Sequence, residues 1–291
     1  MQPQPYVGRF APTPSGPLHF GSIIAALGSF LQARKYQGTW LVRIEDIDEP
    51  RTKPGADKLI LEQLERLGLQ WDDDIVYQSE RISRYQLALK KLESKHLVFP
   101  CSCSRKDTGN KPYSGTCRKA LTDNKTNQSL RVLTNNELIK LNDLLQGDYS
   151  QRLESDVGDF IIKRADGYFA YHLAVVIDDA EQSVTEIVRG LDLLDSTPRQ
   201  IYLQQLLELS TPSYLHLPLA IDFSGNKLSK ATEAEAANTN DPVTTLIHAL
   251  NFLGQTPPPA LAKSNTSTVL EWAIENWEIK NIPSKKEIRV P

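Results

Sequence analysis

Cysteine is scarce in this chain: three residues in 291, an odd number. That argues against a secreted disulfide framework and for a reducing compartment. No apolar run approaches the roughly 18 residues that would signal a membrane-spanning helix. The opening Met1-Gln2-Pro3-Gln4-Pro5 lacks the basic-then-apolar pattern of a signal peptide. A cytoplasmic protein with no membrane contact is expected. Excess charge is absent too. At a net charge of −3 no global field draws the chain to nucleic acid, so any RNA contact must use a local basic face. No internal repeat is apparent. What remains is ordinary: 40% hydrophobic and 24% charged residues, enough chain for one large or two small domains with a buried core.

Residues 1–100 alternate strand and helix. Tyr6–Phe10 reads as a strand, Ile23–Tyr36 as a helix with Ile23, Leu27, Phe30 and Leu31 on one face, and Thr39–Ile44 as a second strand. Gly55–Leu67 and Arg84–Lys95 read as further helices. Such α/β alternation implies a mostly parallel sheet with helices on both sides, whose ligands bind beyond the carboxyl ends of the strands, where Arg9 and Glu45 fall. Residues 101–150 break the pattern with turn residues, the three cysteines and the polar run Thr122–Ser129. They read as an insertion between two halves of a nucleotide-binding fold, 1–100 and 151–232. The pattern resumes with the strand Phe160–Arg164 and the helix Ser196–Leu209. Residues 233–291 form a short helical C-terminal region after a soft linker, Ala231–Asn240. There Asp241-Pro242 caps a helix Val243–Leu253 that Gly254 closes, Pro257–Pro259 breaks the chain, and a last helical segment lies around Val269–Trp277.

Two runs carry chemistry. Arg9-Phe10-Ala11-Pro12-Thr13-Pro14-Ser15-Gly16-Pro17-Leu18-His19-Phe20-Gly21-Ser22 leads from a strand through a Pro/Gly turn into a helix starting near Ser22. Backbone N–H groups and His19 then point at whatever sits over the helix N-terminus, a natural place for phosphate. Far downstream, Lys227-Leu228-Ser229-Lys230 puts two lysines around a serine on a turn after Gly225-Asn226. Together these runs read as two halves of an ATP site. Taken singly, His19 could be a turn histidine and Lys230 a solvated lysine.

The pair resembles the HIGH and KMSKS signatures of class I aminoacyl-tRNA synthetases. Arg9–Gly16, Val42-Arg43-Ile44-Glu45-Asp46-Ile47-Asp48 and Tyr171-His172-Leu173-Ala174 are similar to glutamyl-tRNA synthetases, over about residues 5–250. Ser22, standing where most HIGH motifs carry a second histidine, and Arg189–Gln200 resemble the branch that makes glutamyl-queuosine on tRNA(Asp). The fold implied is a class I synthetase Rossmann-like parallel sheet with a zinc-knob insertion.

The resemblance implies roles. His19 and Lys230 would be catalytic, and His19, Gly21, Ser22, Lys227, Ser229 and Lys230 would bind ATP with its Mg2+. Arg9, Ala11, Thr13, Glu45, Tyr171 and Arg189 would bind L-glutamate, Glu45 taking the α-ammonium and Arg189 the side-chain carboxylate. Arginine suits that task because its planar fork matches a carboxylate. Apart from the resemblance, each arginine could sit in a surface ion pair and Glu45-Asp46-Ile47-Asp48 could be an acidic strand exit. Cys101, Cys103 and Cys117 with Tyr113 resemble the family's zinc knob and imply one structural Zn2+; three reduced, unligated cysteines are the alternative. His96 and His172 read as structural. Lys90, Lys91, Arg105, Lys106, Lys111, Arg118 and Lys119 make the middle of the chain basic, for RNA backbone or merely for solvent. Full-length glutamyl enzymes carry a large anticodon-binding region after the KMSKS loop, whereas here the chain ends at Pro291. The expected partners are glutamate, ATP and queuosine-bearing tRNA(Asp). A small synthetase charging the 3′ end of tRNA(Glu) and a non-catalytic tRNA-binding paralogue are the alternatives.

Overall fold

The computed structural model describes residues 5–109, 111–118, 128–222 and 239–290. The N-terminal half opens with β1 (Val7–Phe10), α1 (Phe20–Lys35), β2 (Thr39–Ile44), α2 (Ala56–Arg66), β3 (Val76–Tyr77) and α3 (Ile82–Ser94). β1, β2 and β3 pair in parallel in that order. After β4 (Val98–Cys101) and the short α4 (Arg105–Thr108) come β5 (Ser129–Val132), β6 (Leu138–Asp143), β7 (Gly147–Arg152), the one-turn α5 (Leu153–Asp156) and β8 (Ile161–Lys163). β4, β5 and β8 form an antiparallel sheet, and β6 with β7 a hairpin.

Next come α6 (Tyr171–Glu181), β9 (Glu186–Gly190), α7 (Thr197–Leu207), β10 (Ser213–Leu217) and β11 (Leu219–Ile221). β9 and β10 are parallel, and Thr185 just before β9 donates its N–H to Val7 O at 2.9 Å. That bond sets β9 beside β1, so the two parallel pieces lie edge to edge. The chain closes with α8 (Pro242–Phe252), α9 (Thr266–Asn276) and β12 (Glu287–Arg289), which pairs in parallel with β11. Among the described residues no helix is long and apolar enough to cross a membrane.

α1 is apolar on nearly every side because it is covered on nearly every side. Ile23, Leu27, Leu31 and Ala33 are fully buried, with the sheet on one face and α8 and α9 against the other. Gly28 permits the contact with the sheet: a Cβ there would meet Leu217 Cδ1 at 2.7 Å. A buried polar chain then ties the C-terminal region down. Trp277 Nε1 donates to Gln32 Oε1 at 2.7 Å, Gln32 Nε2 donates to Glu186 Oε1 at 2.8 Å, and Tyr6 donates to the same carboxylate. Every buried polar atom named there has a partner, as burial requires.

Some boundaries differ from the sequence reading. α1 begins at Phe20, with His19 as its N-cap, because the imidazole can accept a backbone N–H as Ser or Asp does elsewhere. The stretch 129–152, read only as insertion, holds β5 and the β6–β7 hairpin; burial alternates strictly along β6. Asp241 caps α8 as expected, its carboxylate accepting from Thr244 N–H at 3.2 Å, and Asn265 does the same for α9.

Candidate active site

The carboxyl ends of β1, β2 and β9 and the first turns of α1 and α6 surround a cleft of about 360 Å³. Arg9, Ala11, Thr13, His19, Gly21, Ser22, Glu45, Tyr171 and Arg189, all picked out in the sequence, line it together. Lys227, Ser229 and Lys230 lie outside the described residues.

The floor is a buried ion network that the sequence reading missed. Arg43 on β2 is wholly buried; its Nη2 donates to Asp179 Oδ1 at 2.8 Å and reaches Glu45 Oε1 at 3.5 Å, while Nη1 donates to Gln182 at 2.7 Å. Arg9 Nε donates to the same Asp179 oxygen at 3.2 Å. The neighbouring Asp178 accepts from Gln78, Arg81 and Tyr85 at 2.7, 2.6 and 2.9 Å. Burial disfavours charge on Arg43, but Asp179, Glu45 and Asp178 outweigh it and raise its pKa above the ordinary arginine value. Burial likewise works against the Asp179 carboxylate, yet Arg9 and Arg43 hold it below the usual range. Glu45 goes the other way. Burial pushes its carboxyl up to about 7, against the pull of Arg43 and Arg9, with Asp179 and Asp178 adding to the rise. Two acids closing the apolar run Leu173–Ile177 were the available signal, since such a pair on a buried helix needs partners.

Arg189 stands in a different setting. It is 4% exposed, and among the described residues it has no carboxylate partner. Nε donates to His216 Nε2 at 3.1 Å, Nη1 to the Tyr171 hydroxyl at 3.3 Å, and Nη2 to Thr197 Oγ1 and Gln200 Oε1, both at 2.8 Å. Arg189 and His216 are register partners on β9 and β10, which brings their side chains together. An arginine nitrogen can only donate, so His216 Nε2 accepts and its Nδ1–H donates to Asp143 Oδ2 at 2.6 Å. Burial first, and Arg189 after it, lower the His216 pKa against the opposing pull of Asp143, so the ring stays neutral. The guanidinium is thus fixed on several sides by neutral acceptors and keeps its charge for an incoming anion. His216 and Asp143 escaped the sequence reading; a histidine inside the buried strand Leu215–Leu217 was the only hint.

At the other end of the cleft the Ser22 backbone N–H donates to His19 Nδ1 at 3.2 Å, which makes that nitrogen the acceptor. His19 Nε2–H then donates to Ser22 Oγ at 2.9 Å. The serine that departs from the HIGH pattern is therefore wired to the histidine, and its own hydroxyl hydrogen can be given onward.

Away from the cleft, Cys101, Cys103 and Cys117 place their sulfurs within 4.8 Å of one another. The Tyr113 hydroxyl lies 3.4 Å from the Cys101 sulfur and 3.9 Å from that of Cys103, and accepts the Cys117 N–H at 2.9 Å. A side-chain hydrogen bond from the Tyr113 hydroxyl, separate from that backbone contact, holds the Cys117 thiol down at about 7, whereas burial pushes Cys103 up to about 11. Three soft sulfurs and an oxygen on one small sphere fit a tetrahedral ion. Gly158 docks the knob against the catalytic body: its φ is +73°, and a Cβ there would lie 2.3 Å from Tyr113 O.

Comparison with known proteins agrees with this geometry. The family described as tRNA synthetases class I (E and Q), catalytic domain, matches residues 6–281, farther than the 5–250 inferred from motifs. The chain is 47% identical to the glutamyl-Q tRNA(Asp) synthetase of Aromatoleum aromaticum, over 99% of this chain and 93% of that protein. It is 48% identical to the one from Thiobacillus denitrificans, over 100% and 99%. The crystal structure of a glutamate-tRNA synthetase from Elizabethkingia anophelis superposes with a TM-score of 0.82 at 23% identity, covering 99% of this chain and 68% of that one.

Two outcomes are expected from the site itself. A carboxyl held near 7 is mostly protonated below that pH and cannot take an ammonium ion well. The KM for glutamate should therefore rise as pH falls from about 8 to about 6, and Glu45→Gln should flatten that profile at a uniformly high KM. A pH-independent KM in the unmodified protein would remove Glu45 from the ammonium site. Replacing His216 by leucine takes away the acceptor that orients Arg189. A charge-assisted bond of about 1.5–3 kcal/mol is lost, which corresponds to about a tenfold or greater rise in the glutamate KM. His216→Gln should recover part of it, and the ATP KM should stay put; an equal loss for both substrates would mean general damage.

Proposed function

The chain belongs to the class I tRNA synthetases (E and Q), within the glutamyl-Q tRNA(Asp) synthetases, and on that premise we propose that it activates L-glutamate with ATP and transfers it to queuosine at the wobble position of tRNA(Asp). It is a ligase of the aminoacyl-tRNA synthetase type. The observation that carries the glutamate reading is the buried Arg189, short of a counter-ion, sharing one cleft with Glu45. Glutamate is the amino acid whose side chain supplies the missing carboxylate while its ammonium meets a carboxyl.

Activation joins the α-carboxylate of glutamate to the α-phosphorus of ATP as pyrophosphate leaves, so no protein nucleophile is required. The protein supplies position and charge. Arg189 grips the side-chain carboxylate through its outward Nη1 edge, with the Tyr171 hydroxyl against the same nitrogen. Glu45 loses its proton as it takes the ammonium, and Arg9, anchored on Asp179, faces the amino acid from below. The His19–Ser22 pair at the start of α1 donates to the phosphates where the helix N-terminus adds backbone N–H groups. Lys227 and Lys230 follow the charge that builds on the departing pyrophosphate, and Mg2+ accompanies the nucleotide.

Transfer needs no second catalytic set. The cyclopentene ring of queuosine carries a diol, one of whose hydroxyls can attack the carbonyl of the activated glutamate, forming the ester as the acyl–phosphate bond breaks and AMP leaves with the proton, as a ribose diol does in ordinary synthetases. Residues 101–150 carry the metal knob between the halves of the catalytic body, with Cys101, Cys103, Tyr113 and Cys117 holding one Zn2+ that fixes the fold of that segment. The reaction is placed in the cytoplasm.

Labelled glutamate should attach only to tRNA bearing queuosine, with tRNA(Asp) preferred, and unmodified transcripts should yield no stable product. Robust charging of unmodified tRNA(Glu) at its 3′ end would overturn the acceptor assignment, and failure of glutamate-dependent ATP–pyrophosphate exchange would overturn the enzyme. For the knob, metal analysis of the purified protein should find about one zinc per chain. Cys117→Ser should lower that content and the thermal midpoint together; an unmodified protein free of zinc would rule the metal out.

A further inference from the structure

A second cavity, of about 290 Å³, lies between the cysteine knob and the first turns of α6 and α7. Lys111, Arg131, His172 and Arg199 bring four basic side chains to its wall, with Phe160 below them. Asp159 is the sole carboxylate among its lining residues, and it is fully engaged. Arg118 donates to both of its oxygens at 2.7 Å, and Thr134 donates from backbone and hydroxyl at 2.8 and 3.0 Å. The cavity is therefore strongly cationic.

Its donors are also poorly used. Arg199 Nη1 donates to His172 Nε2 at 3.3 Å, which makes that nitrogen the acceptor and puts the ring hydrogen on Nδ1. His172 Nδ1 and Arg199 Nε are both buried and, among the described residues, both lack a hydrogen-bond partner. Arg131, 8% exposed, gives Nε to the Cys101 sulfur at 3.2 Å and Nη1 to Asp159 O at 2.6 Å and lies over the Tyr113 ring, with no carboxylate side chain against it among the described residues. Buried donors without acceptors are costly and rare in folded proteins. Burial first, then Arg199 and Arg189, push His172 down to about 3, so its ring is a neutral donor, and the positive charge of the wall is carried by Arg131, Arg199 and Lys111.

We propose that this cavity is a binding site for a phosphate-class oxyanion, taken by Arg199 Nε–H, His172 Nδ1–H and the Arg131 guanidinium, with Lys111 at its rim. A tetrahedral anion with several acceptor oxygens matches several converging donors better than a flat carboxylate does. The anion is either free in solution or a phosphodiester of bound RNA. This goes beyond the activation chemistry, and its inorganic-phosphate arm does not depend on the acceptor assignment. His172, read from sequence as structural, gains a ligand-facing nitrogen.

The test uses the full-length protein with 15N-labelled histidine, the His172 ring signals being assigned through His172→Gln. Inorganic phosphate is titrated first, then queuosine-bearing tRNA(Asp). The His172 signals should shift saturably, while His19 reports the cleft separately. In Arg199→Gln the dissociation constant should rise about tenfold, with glutamate-dependent ATP–pyrophosphate exchange kept. If that variant does not fold, Lys111→Gln at the exposed rim should weaken the same binding. Saturation by phosphate alone identifies a free anion, and a shift with tRNA only identifies a phosphodiester. Signals unmoved by either ligand, or unchanged affinity in the variants, would overturn the site.

Discussion

The cleft depends on the burial of Arg43. A guanidinium with no exposure is tolerable only if carboxylates neutralise it at close range, and removing one partner of such a pair is far worse than never burying it. Asp178 and Asp179 meet that demand from α6, Glu45 from the end of β2 itself. The consequence is geometric. Once Asp179 is shared by Arg43 and Arg9, α6 is fixed against β1 and β2 together, and Tyr171, the first residue of that helix, is set over the cleft. The same crowding of carboxylates leaves Glu45 only weakly held by Arg43, at 3.5 Å, with its carboxyl pushed up to about 7.

The arginines divide the work by the company they keep. Arg9 shares the Asp179 carboxylate with Arg43, at 3.2 Å, so its charge is partly answered before any ligand arrives. Arg189 is as deeply buried but is steadied by a hydroxyl pair, an amide oxygen and a neutral imidazole. Those partners orient the fork without cancelling its charge. A neutral ligand would leave that buried charge unanswered, whereas an anionic one would answer it, so the surroundings of Arg189 favour an anion by electrostatics more than by shape.

Much of this was legible in the sequence. The alternation of Tyr6–Phe10, α1 and Thr39–Ile44 announced a parallel sheet because strand and helix periods differ sharply, and the caps at Asp241 and Gly254 are local chemistry. The cleft residues on β1, β2, α6 and β9 could be found because they sit in motifs contiguous along the chain. What stayed hidden is non-local. Arg189 meets His216 across a strand pair, and His216 meets Asp143 across 73 residues, a relation no spacing reveals. The β6–β7 hairpin was masked by its polar composition: Gly147–Arg152 has no buried residue, so it lacks the apolar alternation by which a strand is recognised. The start of α1 was misplaced by a few residues because histidine is not an expected cap.

The two cavities are lined by neighbouring residues of the same helix, and this joins the knob to the cleft. Tyr171 lines the cleft and His172 the knob-side cavity, although they are consecutive on α6. On α7, Gln200 accepts from Arg189 while its neighbour Arg199 donates to His172. Successive helical residues diverge by about 100°, so one short helix end can serve two sites at once. Arg131 completes the link, since it touches the Cys101 sulfur, the Tyr113 ring and the same cavity. Anything that orders the knob therefore also orders Arg131, whose Nη1 donates to the carbonyl of Asp159, next to the Phe160 ring that lies against His172 on α6.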